Sequence, residues 1–126
     1  MRSTPMLMVA DVPTSVRWYC ALLGVENDHH RKDFDQIVSG GEVLLMLHGP
    51  AEGEHGLSQP RGHERLGLGC VVWFSASDIE AAFARAKDLG AEILAEPWVN
   101  PRAGWTEFSV RDPDGYTIGV WAFSGE

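Results

Sequence analysis

Several devices that would assign a chain to a class early are scarce here. Only two cysteines, Cys20 and Cys70, occur in 126 residues. No CxxC pair is present, so nothing points to redox or zinc chemistry. Both cysteines sit in apolar runs and are expected to be buried, reduced thiols. Long apolar stretches are missing too. The longest, Cys70–Phe74 and Val43–Leu47, fall far short of the roughly 20 residues that span a bilayer. The opening Met1-Arg2-Ser3-Thr4-Pro5 lacks the apolar core of a signal peptide, which predicts a cytoplasmic protein. Positive charge is sparse: Lys and Arg total 10 against 18 Asp and Glu, a formal net charge of −8. That balance argues against nucleic acid or an anionic membrane as partner and favours a cationic ligand. The five histidines, His29, His30, His48, His55 and His63, include no i, i+4 pair and no HExxH pattern. They predict solvated or hydrogen-bonded side chains rather than a metal site.

What is present is a repeat. The apolar fraction of 44% suits one globular domain. Within it, Met6–Val9 leads to Asp11 and a helical segment closed by Gly24. Cys70–Phe74 leads in the same way to Asp78 and a helical segment closed by Gly90. The asparates are 67 positions apart and the glycines 66. Such self-similarity marks duplicated modules. The first helix is predicted over about 13–23, with Val16, Tyr19, Cys20 and Leu23 on one stripe. Pro13 suits its first turn and Gly24 its left-handed stop. The second is predicted over about 78–89, opened by a capping box in Ser77-Asp78-Ile79-Glu80 and carrying Ile79, Ala82, Phe83, Ala86 and Leu89 on its stripe.

Strands are predicted at Val25 to about His30, Phe34–Ser39 and Glu42–His48, the last two joined by Gly40-Gly41. In the second half they are predicted at Ala91–Ala95, Trp105–Val110 and Tyr116–Phe123. Asp112-Pro113-Asp114-Gly115 turns between the last two. Each half reads β-α-β-β-β, with module one over about 4–48, a linker over about 49–66 and module two over about 67–124. Trp98 is placed in a Pro-rich loop over Glu96–Pro101.

These residues resemble the vicinal-oxygen-chelate superfamily of glyoxalases, bleomycin-resistance proteins and dioxygenases. Val9-Ala10-Asp11 followed by Trp18-Tyr19 and Leu22-Leu23-Gly24 is similar to its first-module signature. Asp112-Pro113-Asp114-Gly115-Tyr116 is similar to its last hairpin. The resemblance implies an α+β fold in which two tandem βαβββ modules form a cup-shaped curled sheet with helices on the convex side. It also implies a homodimer. Many such proteins hold a divalent metal through His, Gln and Glu, which suit Fe, Mn, Zn or Ni. Counted from the motifs, those positions fall on Thr4, Met46, Val71 and Gly119, none a good hard-metal ligand. The resemblance therefore runs closest to the metal-free, bleomycin-resistance-like members, with no cofactor and no catalytic residue.

Strand alternation then assigns the cup lining. It holds Thr4, Met6, Met8, Leu44, Met46, His48, Val71 and Trp73, then Trp105, Glu107, Ser109, Thr117, Gly119, Trp121 and Phe123. The opposite phase, including Leu7, Val9, Leu45, Leu47, Cys70, Val72, Phe74, Ile118 and Val120, is apolar core. The candidate ligand-binding set is Met6, Met46, His48, Trp73, Trp105, Glu107, Gly119 and Trp121. Tryptophan faces stack on planar rings and attract cations, thioethers adapt to irregular shapes, and Glu107 offers a counter-charge. Gly119 is expected to open room at the centre. The function this implies is binding and sequestration of a planar or cationic, antibiotic-like small molecule. The alternatives are a metal-dependent lyase, isomerase or dioxygenase, a metal-free enzyme using Glu107 or His48 as general base, and a non-catalytic accessory module.

Overall fold

The computed structural model describes residues 1–50, 67 and 69–123. The chain forms two compact units, Met1–Cys20 with Gly24–Arg65 and Ala21–Leu23 with Leu66–Glu126. The elements run β1 Met6–Met8, α1 Val12–Leu23, β2 Glu26–Asn27, β3 Phe34–Ser39, β4 Glu42–His48, β5 Val71–Ser75, α2 Ile79–Asp88, β6 Glu92–Asn100, β7 Trp105–Arg111 and β8 Thr117–Phe123. The fold is therefore α+β, with the β-α-β-β-β order twice. Each repeat supplies one four-stranded mixed sheet, ordered β1-β4-β3-β2 and β5-β8-β7-β6. In each, the first strand pairs in parallel with the last and the remaining pairs are antiparallel. No helix among the described residues is long and apolar enough to cross a membrane.

The first unit is organised by its punctuation. Asp11 caps α1, its carboxylate accepting from the Thr14 amide at 3.0 Å and from the Thr14 hydroxyl. Those bonds hold its pKa below the ordinary 3.8. Gly40 and Gly41 have φ of +57° and +80°, the two left-handed residues that a tight primed turn needs between β3 and β4. The core draws on Val9, Val12, Tyr19, Ile37, Leu45 and Leu47, all buried. The stripe on α1 is rotated from the one expected. Val12, Ser15, Val16, Tyr19 and Leu22 are buried, whereas Cys20 and Leu23 lie half-buried on its flank. Burial, with the Asp35 and Glu26 carboxylates, still pushes the Cys20 thiol pKa up.

The predicted strand from Val25 to about His30 shrinks to two residues, and Asp35 explains why. Its buried carboxylate accepts from the backbone N–H of His29 at 2.9 Å and Gln36 at 2.7 Å, and from Asn27 Nδ2 at 2.7 Å. The chain turns around that group, with His30 at φ +57°, instead of continuing the ladder.

In the second unit, Asp78 rather than Ser77 caps α2, accepting from the Ala81 amide at 3.1 Å. The helix lies on the sheet face formed by Phe108, Val110, Ile118 and Val120, all buried. Ala82 and Ala86 are buried in the helix, and the Phe83 ring meets Phe108 edge-on at 5.3 Å. Asp112 closes the last hairpin. Its carboxylate accepts from the amides of Asp114 at 2.9 Å and Tyr116 at 2.8 Å, an Asx-type turn.

Three expectations need correction here. Cys70 is exposed, because it lies just ahead of β5, an edge strand of its sheet. Val72 is half-buried for the same edge position. Finally, β6 runs on to Asn100, so Trp98 is in a strand and not a loop. Pro97 lacks an N–H, but β6 is the sheet's edge, and the pairing is irregular between Ala95 and Trp98.

Candidate functional site

On the second sheet, the face away from α2 carries an aromatic field. Register fixes its rows. Trp73 lies opposite Gly119, which lies opposite Ser109. Ser75, Trp121, Glu107 and Trp98 form the next row, and Phe123, Trp105 and Asn100 the third. Alternation along four strands thus puts four tryptophans and one phenylalanine on one surface. The Trp105 and Trp121 rings are 4.4 Å apart and tilted by 31°. Trp73 lies 6.5 Å from Trp105, and Phe123 stands edge-on to Trp121 at 5.1 Å. Trp73, Trp98 and Phe123 are exposed, at 45%, 48% and 64%. A soluble surface rarely keeps so much apolar area together without a use for it.

One charge is embedded in this field. Glu107 is only 7% exposed. Its Oε1 accepts from Asn100 Nδ2 at 2.6 Å. Asn100 is oriented for this, because its own Oδ1 accepts from the amides of Arg102 and Ala103 at 3.1 and 3.4 Å. Among the described residues, no cation pairs with Glu107. The nearby strand cation, Arg111, is engaged with Glu92 at 3.3 Å and the Gly115 carbonyl at 3.2 Å. A carboxylate ringed by tryptophans, held by a neutral amide, is suited to receive a cation whose flat body stacks on the rings.

Gly119 corrects a further expectation. It opens no room. A Cβ built on it would run into Cε3, Cζ3 and Cδ2 of Trp73. The missing side chain leaves the space beside Gly119 to the Trp73 indole.

The candidates of the first unit lie on its own sheet. Met6 is the register partner of Met46, which lies opposite Gln36. Met8, His48 and Phe34 make the adjacent row. Both methionines are half-buried. His48 is enclosed, at 2% exposure, with Nδ1 donating to the Gly49 carbonyl at 2.7 Å and Phe34 edge-on at 6.1 Å. In this structure its imidazole is part of the packing. The linker histidines His55 and His63 lie outside the described residues.

The four positions where the resemblance puts metal ligands do not fit a metal. Thr4 is exposed ahead of β1, Met46 offers a soft thioether, Val71 is aliphatic, and Gly119 is covered by indole. That donor set lacks the imidazoles and carboxylates that hold divalent cations. Elsewhere among the described residues, Asp28, His29 and Asp35 bring ligand atoms within 4.8 Å of one another. There Asp28 Oδ1 already meets His29 Nδ1 at 2.8 Å, and Asp35 is occupied with the loop amides. Sequence reasoning missed this grouping, since Asp35 is folded back by the β2–β3 loop. It also placed Trp98 off the strand and missed Asn100, because Pro97 obscured the alternation through β6.

On the other side of the second unit, Phe83, Lys87, Ile93, Leu94 and Glu96 line an open groove of about 370 Å³. It has no aromatic field and no buried charge, and it contains none of the candidate residues.

Comparisons with known proteins agree with this architecture. The family profile of the Glyoxalase/Bleomycin resistance protein/Dioxygenase superfamily matches residues 3–120. The chain is 25% identical over 123 residues to a probable lactoylglutathione lyase of Synechocystis sp., covering 90% of this chain and 88% of that protein. Among solved structures, a protein of unknown function from Agrobacterium tumefaciens superposes with a TM-score of 0.78 at 23% identity, covering 97% of this chain and 94% of the other. A glyoxalase/bleomycin resistance protein/dioxygenase family enzyme from Burkholderia phytofirmans gives 0.76 at 14% identity, with 95% and 96% covered.

Proposed function

The chain belongs to the glyoxalase/bleomycin resistance protein/dioxygenase superfamily, and from that premise we propose that it is a binding protein that sequesters a planar, cationic, antibiotic-like small molecule on the aromatic face of its second unit. The observation that carries the reading is the replacement of a ligand-bearing strand position by Gly119 with the Trp73 indole laid over it. A second support is Glu107, enclosed beside Trp105 and Trp121, its carboxylate held by the Asn100 amide and, among the described residues, paired with no cation. Stacking supplies contact area, the ring faces attract positive charge, and the carboxylate fixes the cation's position. The net charge of −8 draws cations towards the protein at low salt. The cytoplasmic location and the homodimer belong to the same proposal. The apolar side chains Leu94, Trp98 and Val99 exposed on edge strand β6 support self-association, and sedimentation velocity reads it directly.

A second reading, metal-dependent lyase chemistry, is favoured by the name of the cyanobacterial relative. It requires ligands that Thr4, Met46, Val71 and Gly119 do not provide. One experiment separates the two. Tryptophan fluorescence is titrated with glycopeptide-type and aromatic cationic drugs, and lactoylglutathione formation is assayed with added Zn²⁺ or Ni²⁺. Saturable quenching by planar cations with no metal-dependent turnover is the expected outcome. Turnover, or no quenching across the whole panel, removes the binding reading.

A further inference from the structure

Trp105 Nε1 is the one enclosed side-chain polar atom among the described residues that has no hydrogen-bond partner. An indole nitrogen only donates, and a buried donor left unpaired keeps its desolvation penalty with nothing to offset it. Native structures keep few such atoms. This one lies inside the candidate site, its ring 4.4 Å from that of Trp121 and 6.5 Å from that of Trp73. Across the ladder from it is Asn100, whose amide is directed to Glu107 and whose oxygen is taken by two backbone amides. Asn100 therefore has no acceptor left over for Trp105. Two residues along β7 on the same face, Glu107 presents a carboxylate, which only accepts.

The site thus offers one unpaired donor and one carboxylate acceptor, two residues apart on the same face of β7 among the tryptophans. We infer that it reads an acceptor and a donor together. The ligand class is a planar heteroaromatic cation with a carbonyl or comparable acceptor on its edge, which receives the Trp105 N–H while its cationic N–H donates to Glu107. This rests on the binding reading above and adds what that reading leaves open. Stacking and charge alone accept any flat cation, whereas an unpaired buried donor is relieved only by a ligand that carries an acceptor.

The test uses the full chain and two probes differing by one group, an aminoacridine and its carboxamide derivative, titrated by calorimetry. Wild-type protein is expected to bind the carboxamide about tenfold more tightly, the equivalent of about 1.4 kcal/mol. Trp105→Phe keeps a ring, removes the N–H, and should bind both probes with equal affinity. Glu107→Gln should weaken both by similar factors and leave their ratio unchanged. A measurement on wild-type protein guards against a variant that fails to fold. In ¹H–¹⁵N spectra, the Trp105 indole signal should move downfield with the carboxamide and not with the parent aminoacridine. Equal binding of the two probes by wild type, or a preference that survives Trp105→Phe, overturns the inference and leaves the binding reading standing. Binding of neither probe by wild type overturns the inference, and the binding reading falls with it only when the wider drug panel also gives no quenching.

Discussion

The two units share one plan and present different surfaces. In both, an aspartate caps a helix, the first strand pairs in parallel with the last, and the helix-side residues are aliphatic or aromatic core. The equivalent positions on the other face diverge. Where the first sheet pairs Met6 with Met46, the second pairs Trp73 with Gly119. Where the first pairs Phe34 with the enclosed His48, the second pairs the enclosed Glu107 with Trp121. Core packing and turn chemistry fix the shared topology, and both repeats kept them. The face that does not hold the fold together was left to vary, and only one of the two faces gathered rings around a charge.

That comparison can be tested from its largest expected effect downward. If the two cores are equivalent in kind, Leu45→Ala and Ile118→Ala should each lose about 2–5 kcal/mol of stability in urea unfolding. A loss confined to one variant would show that one sheet is dispensable to the cooperative fold. Asp35 has no counterpart in the second unit. Burial raises its pKa, but the bonds from Asn27 and the backbone amides outweigh that and hold it below the ordinary 3.8. A depressed carboxylate stabilises the folded chain above the unfolded value, and that contribution is lost as pH falls through the folded pKa. Asp35→Asn is therefore expected to cost about 1.5–3 kcal/mol at neutral pH and to flatten the acid side of the stability profile below pH 3.8. Denaturation series at several pH values measure both.

The faces are compared directly by Gly119→Ala and Met46→Ala. The added methyl should displace Trp73, cost about 1–3 kcal/mol by overpacking, and weaken planar-cation binding at least tenfold, about 1.4 kcal/mol. Met46→Ala should leave that binding largely intact. Equal losses would place the ligand on both faces. The smallest effect is expected at the caps. Asp11→Ala and Asp78→Ala should each lower thermal stability by about 1 kcal/mol, with the two losses similar if the repeats are alike at this level.

How much was legible follows from which signals were local. β3 and β4 were found to the residue, because Gly40-Gly41 announces the turn and alternation is clean on either side. Both helices were found within two residues from their caps. β6 was cut short, because Pro97 reads as a break, and only its edge position in the sheet makes that proline harmless. β2 was overextended, because Asp35, eight residues on, takes the amide of His29 and draws Asn27 to it. At the site, the phase of Trp73, Trp105, Glu107 and Trp121 followed from alternation alone. The partnership of Glu107 with Asn100 did not, since it depends on how β6 registers against β7.

The amino-acid order by itself determined the duplicated β-α-β-β-β plan, the division of β1, β4, β5, β7 and β8 into core and outer phases, and the lack of ligating side chains at Thr4, Met46, Val71 and Gly119. All are set by residue type and short-range spacing. Only the tertiary structure decided that Trp73 lies on Gly119, that Glu107 is enclosed with Asn100, and that the indole N–H of Trp105 is left without a partner. Each of those depends on two strands meeting in one register, and distance across a sheet is not written in distance along the chain.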